Sequence, residues 1–316
     1  MRYWIPGFRT DMVKRASQLW RQYRRQKLAL IGLIIIGVIA LVALVAPFVA
    51  PYGANQETTS VLRAPGPSHW LGTDNLGRDV FSRLIWGSQI SFIFGLVVAG
   101  ISLVVGVVIG AVAGYYGGWL DDLLSRVIEI FIMIPSLFLL IIIGALLGHS
   151  MLLIMVASGL TLWPSNARLT RAQVLSLKHE AYVEAAWASG VKDLRILFGH
   201  VLPNGIYPVI ANSTLQVASA IILEASLSFL GVGDPNVSSW GQVLKSGQSY
   251  LTTAPWICAA PGVAIFLLVF AFNVCGDGLN HALNPRLRQR VVVEFAGEPT
   301  APLVGIGATA AVGEGE

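Results

Sequence analysis

The sequence predicts an all-α integral membrane protein with six transmembrane helices, and three observations carry that expectation. Only 12% of the 316 residues are charged and 55% are hydrophobic, about half the charged share of a soluble globular domain. The apolar residues are gathered into long runs, and mean hydropathy is +0.69. Residues 28–49 and 90–114 carry no charge at all, and each exceeds the ~20 residues that span a bilayer core. Further runs fall at about 127–147, 151–167, 205–229 and 256–274. The third observation is where the basic residues lie. With six crossings and both ends inside, 17 of the 21 Lys and Arg are cytoplasmic, and only Arg63, Arg78, Arg83 and Lys245 lie outside. That asymmetry sets the orientation. The excess of basic charge is therefore a topology signal and points to no nucleic acid.

Residues 1–27 hold eight of those basic residues and read as a helical cytoplasmic arm. The first span, 28–50, has an apolar run of 22 residues, beyond the roughly 7–15 of a signal-peptide core, and reads as an uncleaved anchor. Residues 51–88 form an outside loop. It begins Pro/Gly-rich and irregular, and from Asp74 it reads as a short helix with Asp79 and Arg83 as i,i+4 partners. The run "DNLGRD" is not a calcium loop, because Leu76 sits at a ligand position and the distal Glu is missing.

Five helices are expected over 89–278. In the second span, Gly106, Gly110 and Gly114 at spacing four predict a close packing seam. At the third, Arg126 and Glu129 pair near the headgroups. In the fourth, Trp163-Pro164 predicts a kink. Cys258 and Cys275, without CxxC or His partners, read as packing residues of the last span. The tail, 279–316, is rich in Ala, Gly and Val after Arg290 and reads as an appendage without helical period. The chain shows no catalytic constellation and no set of metal ligands.

One polar stretch interrupts this apolar chain: "EAAWASGVKDLRILFGHVLPN", residues 184–204. The preceding "RLTRAQVLSLKHEAYV" has high helix propensity, so the fourth span continues into the cytoplasm. Gly190 follows, where a helix C′ residue of positive φ belongs. Asp193 caps a second short helix, and Pro203-Asn204 mark the start of the fifth span. The reading is an exposed cytoplasmic elbow with small residues on its first helix.

Glu184-Ala185-Ala186, three residues, Gly190, nine residues, His200, one residue, Leu202-Pro203 resembles the EAA loop of permeases in binding-protein-dependent ABC importers. His200 followed by x-Leu-Pro-Asn is similar to the dipeptide/oligopeptide/nickel branch, where other members of the wider family carry an aliphatic residue. "LGTDNLGRDVFSRLIWG" (71–87), "EASLSFLGVG" (224–233) and "GDGLNHALNPRLR" (276–288) resemble the same branch, as its second, C-type permease. The likeness spans roughly 20–290.

The resemblance implies a type I ABC importer permease fold, with the EAA loop at about 178–204 as a coupling helix. It implies partners: a second homologous permease, two cytoplasmic ATP-binding subunits, an extracytoplasmic substrate-binding protein and the bilayer of an inner or plasma membrane. Glu184, Ala185, Ala186, Gly190, His200, Leu202 and Pro203 would then shape and seat the elbow in the ATPase. ATP and Mg belong to those ATPases; the sequence has no GxxxxGK[ST], so no cofactor is expected in this chain. Within that assembly the chain forms half of a translocation pathway. Peptides are the expected cargo, with nickel chelates or short sugars as alternatives.

Glu224, inside the fifth span, is expensive in hydrocarbon and so faces protein or water. It lines the path or a permease interface, or makes a structural hydrogen bond. Asn212 and Gln216, at i−12 and i−8, extend it into a polar stripe. A proton relay is disfavoured, because no second intramembrane acid lies one or two turns away. Arg78, Asp79 and Arg83 are either structural or an outer contact surface. Two other classes compete: a secondary transporter or channel, which needs no docking elbow, and a membrane enzyme, which needs a catalytic set. A co-purifying P-loop ATPase separates the importer from both.

Overall fold

A computed structural model describes residues 20–283. Most of the basic arm and the tail after Leu283, with Arg286, Arg288 and Arg290, lie outside the described residues. Eleven α-helices follow Tyr23 in the described chain: α1 (Lys27–Val49), α2 (Val80–Tyr116), α3 (Gly118–Met133), α4 (Ser136–Leu147), α5 (Met151–Leu177), α6 (Ala181–Ala188), α7 (Asp193–Ile196), α8 (Leu202–Gly205), α9 (Tyr207–Phe229), α10 (Trp240–Gly247) and α11 (Trp256–Leu283). A π turn, Leu197–Val201, joins α7 to α8.

Among the described residues, α1, α2, α9 and α11 are long and apolar enough to cross a bilayer, and α3 with α4 makes a fifth if the bent pair counts as one. The expected third span is therefore broken: α3 and α4 meet at 82°. Pro135 is the cause. Its ring disfavours the α region for the preceding residue, and Ile134 is extended at φ −83°, ψ 118°. The expected fourth span, α5, is one 27-residue helix through Pro164, with Thr161 Oγ1 on the Ala157 carbonyl and Gln216 Nε2 on that of Leu162. Pro164 is itself buried in the bundle, where neighbouring helices let a membrane helix tolerate proline.

At 37 residues, α2 is about 55 Å long, against roughly 30 Å of bilayer hydrocarbon. It therefore joins the loop that precedes it, residues 51–79, to the polar elbow as one rod. Its glycine seam forms as expected. A Cβ on Gly106 would meet Asn166 Cβ at 2.6 Å, and one on Gly114 the Arg171 carbonyl at 2.9 Å. Only glycine lets α2 and α5 approach so closely. At the outer end, Trp240 of α10 lies 2% exposed among Ala99, Val217, Ile221, Leu268 and Phe272, and its indole donates to the Leu84 carbonyl at 2.8 Å. Cys275 is buried, its thiol against the Ala29 carbonyl of α1.

The outer loop differs from its expected form. No helix starts at Asp74; the chain first makes a turn closed by Asp74 Oδ1, which accepts from the amides of Leu76 and Arg78, both at 2.9 Å. Gly77 in that turn has φ +73°, a conformation only glycine enters without strain. The helix begins at Val80 with Asp79 as its N-cap.

Candidate functional site

The elbow is built on the extension of α5. That helix ends at Leu177 rather than running on through Val183, so Glu184, Ala185 and Ala186 lie on a separate helix, α6. Gly190 closes α6 with φ +76°, as the sequence predicts. A Cβ there would meet nothing within 4 Å among the described residues. Asp193 is the first residue of α7 and not its cap, which is Lys192; its carboxylate accepts from Tyr115 Oη of α2 at 3.2 Å. The expected second helix becomes α7, the π turn and α8, with Pro203 inside α8 and His200 on the π turn.

One side of the elbow is anchored. Val183, Ile196, Leu197, Val201 and Leu202 pack with Val107 and Ala111 of α2, Val174 of α5 and Val209 of α9. Each such side chain contributes about 1.5–3 kcal/mol of transfer free energy as an upper figure. The other side is bare: Trp187 is 70% exposed, Leu194 60% and Phe198 45%. Glu184, Ala185, His200 and Pro203 are exposed as well. Partial burial holds the Tyr182 phenol above its ordinary pKa, opposed by a hydrogen bond with Asn204. A knob anchored on one side with aromatic and aliphatic tips on the other is suited to gripping a partner.

Inside the helix bundle the polar residues form two clusters. Asn166 of α5 is the hub of the first: its Nδ2 donates to Gln216 Oε1 at 2.7 Å and Ser102 Oγ at 3.2 Å, while its Oδ1 accepts from Asn212 at 2.9 Å and Ser213 at 3.3 Å. The hub is fully buried and ties α2, α5 and α9 together. Glu224 belongs to the second cluster, so the expected single stripe with Asn212 and Gln216 is divided. The eight residues from Gln216 to Glu224 are about 12 Å of helix.

Glu224 is 2% exposed. Ser228 Oγ donates to its Oε1 at 2.8 Å and Ser91 Oγ to its Oε2 at 3.3 Å. Ser239, the N-cap of α10, donates to Ser228 Oγ at 3.4 Å. The carboxyl group thus faces the interior of this subunit, joining α2, α9 and α10. Glu224→Gln keeps an acceptor for Ser228 and is expected to leave thermal stability near wild type. Glu224→Leu strands the serine hydroxyls at a cost of about 1–3 kcal/mol, read as a lowered unfolding midpoint of the purified protein. A Leu variant with an unchanged midpoint and altered transport would place Glu224 on the path instead.

The outer residues form a third cluster. Asp74 Oδ2 accepts from Arg78 Nε at 2.8 Å and Arg83 Nη1 at 2.7 Å, while Asp79 pairs with His69 at 2.8 Å and accepts from Ser82 at 2.7–2.8 Å. The expected Asp79–Arg83 pair is absent, because Asp79 is taken up by capping. Asp79 and Arg83 are 2% and 3% exposed, so they stitch the loop together, while the Arg78 side chain keeps 15% exposure. Arg83 also reaches Ser246 of α10 at 3.1 Å. Sequence reasoning missed Asp74, His69 and Asn166. The Asp-x-x-Gly spacing of a side-chain-closed turn signalled the first of these; the partners of the other two are distant in sequence. Among the described residues, no three His, Cys, Asp or Glu gather as metal ligands.

Comparison with known proteins finds two family profiles in the chain. Binding-protein-dependent transport system inner membrane component matches residues 106–289, and N-terminal TM domain of oligopeptide transport permease C matches residues 15–65. The chain is 38% identical over 273 residues to a dipeptide transport system permease protein of Alkalihalophilus pseudofirmus, covering 86% of this chain and 90% of the relative. It is 40% identical over 284 residues to an oligopeptide transport system permease protein of Bacillus subtilis, covering 87% and 92%. A glutathione transport system permease protein of Pectobacterium atrosepticum is 35% identical over 300 residues, covering 91% and 100%.

Proposed function

Because the chain belongs to the binding-protein-dependent transport system inner membrane component family, we propose that it is one of two permease subunits of an ATP-driven importer of short peptides. The elbow carries this reading. Exposed apolar residues grouped on one knob indicate a surface that another protein covers, and Trp187, Leu194 and Phe198 are held there by a buried underside. Two cytoplasmic ATPases, which bind the ATP and Mg, are the partners that fit. Glu184, Ala185, Ala186, Gly190 and His200 shape the contact, while Leu202 and Pro203 seat it on the membrane domain. Peptide cargo is supported by the relatives named for dipeptides, oligopeptides and glutathione, with a substrate-binding protein delivering it from outside. Co-expression with the partner subunits is expected to yield an assembly that holds the ATPase and takes up a radiolabelled dipeptide only with ATP. Uptake without ATP, or with no ATPase retained, would remove the reading.

The topology we propose has six crossings, with α3–α4 as the third and α5 as the fourth, both termini in the cytoplasm and the chain in the inner or plasma membrane. In a background lacking Cys258 and Cys275, Pro65→Cys is expected to take an impermeant thiol label from outside, and Ala185→Cys only after permeabilisation. Both positions are exposed, so labelling reports their side of the membrane. External labelling at 185 would overturn the topology.

A further inference from the structure

The helix that carries the elbow also grips α3, the inner half of the broken pair. Arg171 Nε and Nη2 donate to Asp121 Oδ1 and Oδ2 at 2.5 and 2.7 Å, a two-pronged ion pair that fixes angle as well as distance. Ser125 of α3 donates to the same carboxylate at 3.3 Å. Two turns further along α5, Lys178 Nζ donates to the Gly114 carbonyl at the end of α2 at 3.2 Å. Deeper in the bundle, Phe131 of α3 meets Trp163 of α5 edge-on at 5.4 Å, and Ile128 packs with Trp163 and Ala167. So α3 rides on α5. Beyond the Ile134–Pro135 break the attachment changes in kind: Leu140 of α4 makes apolar contacts with Ile154 and Met155 of α5, with Leu223 and Leu227 of α9 and with Val232.

We propose that Asp121 and Arg171 are positioning residues that deliver the elbow's displacement to α3, and that the Ile134–Pro135 break is the hinge that absorbs it. The proposal rests on the coupling role of the elbow given above. Apolar helix contacts slide past one another by small shears, whereas a two-pronged pair holds α3 to the rotation of α5. The hinge lies between the segment pinned to α5 by the ion pair and the segment that touches α5 and α9 through apolar contacts. Asp121 is 13% and Arg171 34% exposed, so water reaches the pair only in part. Its loss is read as peptide carried per ATP by the assemblies that form, which separates transmission from assembly.

The test uses the complete assembly in proteoliposomes, with Asp121→Asn, Arg171→Gln and the reciprocal Asp121→Arg/Arg171→Asp. Uptake of a radiolabelled dipeptide and ATP hydrolysis are measured on the same samples, normalised to the ATPase retained. Each single variant is expected to keep its ATPase and its basal hydrolysis while peptide carried per ATP falls about tenfold. The reciprocal variant is expected to recover most of that ratio, which a merely lost side-chain contact would not. Single variants with wild-type peptide per ATP overturn the inference alone. So does a proportionate loss of uptake and hydrolysis that the reciprocal variant leaves unrescued. A wild-type chain that retains no ATPase overturns the functional reading, and the inference with it.

Discussion

Asp74→Ala is expected to open the outer loop and cost about 3–5 kcal/mol, the range for removing one partner of a buried ion pair. Asp74 is fully buried and accepts four hydrogen bonds, two from the amides of its own turn and two from Arg78 and Arg83. Without it, the Arg83 guanidinium, 3% exposed, keeps only Ser246, since its Nε already lacks a partner among the described residues. Thr73, next in the chain, holds Arg63 by two bonds, Arg63 N to Thr73 Oγ1 at 2.9 Å and Thr73 N to the Arg63 carbonyl at 3.0 Å. Trypsin added from outside should therefore cleave at exposed Arg63 in the variant much faster than in wild type. Asp74→Asn retains an oxygen for the turn but loses the charge, and is expected to fall between the two. Equal cleavage rates in all three would show that the ion cluster does not hold the loop.

The same cluster shows where sequence reasoning stops. The i,i+4 rule that paired Asp79 with Arg83 presumes a helix already formed at Asp74. The turn at 74–78, with Gly77 at φ +73°, delays the helix to Val80, and Asp79 becomes its cap. Local signals of other kinds were legible. The glycine seam of α2 depends on one helix face, and Gly190 on one backbone conformation, so both follow from spacing. Pro135 was visible but its consequence was not, since an apolar run of that length reads as one span until the extended Ile134 breaks it. The Asn166 hub joins Ser102, Gln216, Asn212 and Ser213 across 46 to 64 positions of sequence, and nothing in any one segment announces it. Glu224 could be recognised as buried, but not as the neighbour of Ser91, 133 positions away.

The second large effect lies at the elbow. Gly190→Asp and Glu184→Lys are expected to leave the chain inserted and paired with its partner permease, because neither position supports the buried underside. A Cβ on Gly190 meets nothing within 4 Å among the described residues, so the variant's own strain is the left-handed backbone, about 1 kcal/mol. Glu184 is exposed, and reversing its charge breaks no hydrogen bond made by its side chain within the described residues. Any greater loss must arise in a partner seated on the knob. The deciding measurement is ATP hydrolysis by the reconstituted assembly, with and without substrate-loaded binding protein. Wild type is expected to be stimulated, and both variants to hold less ATPase and show no stimulation. Normal stimulation and transport in both would mean that the elbow grips nothing and is only a loop.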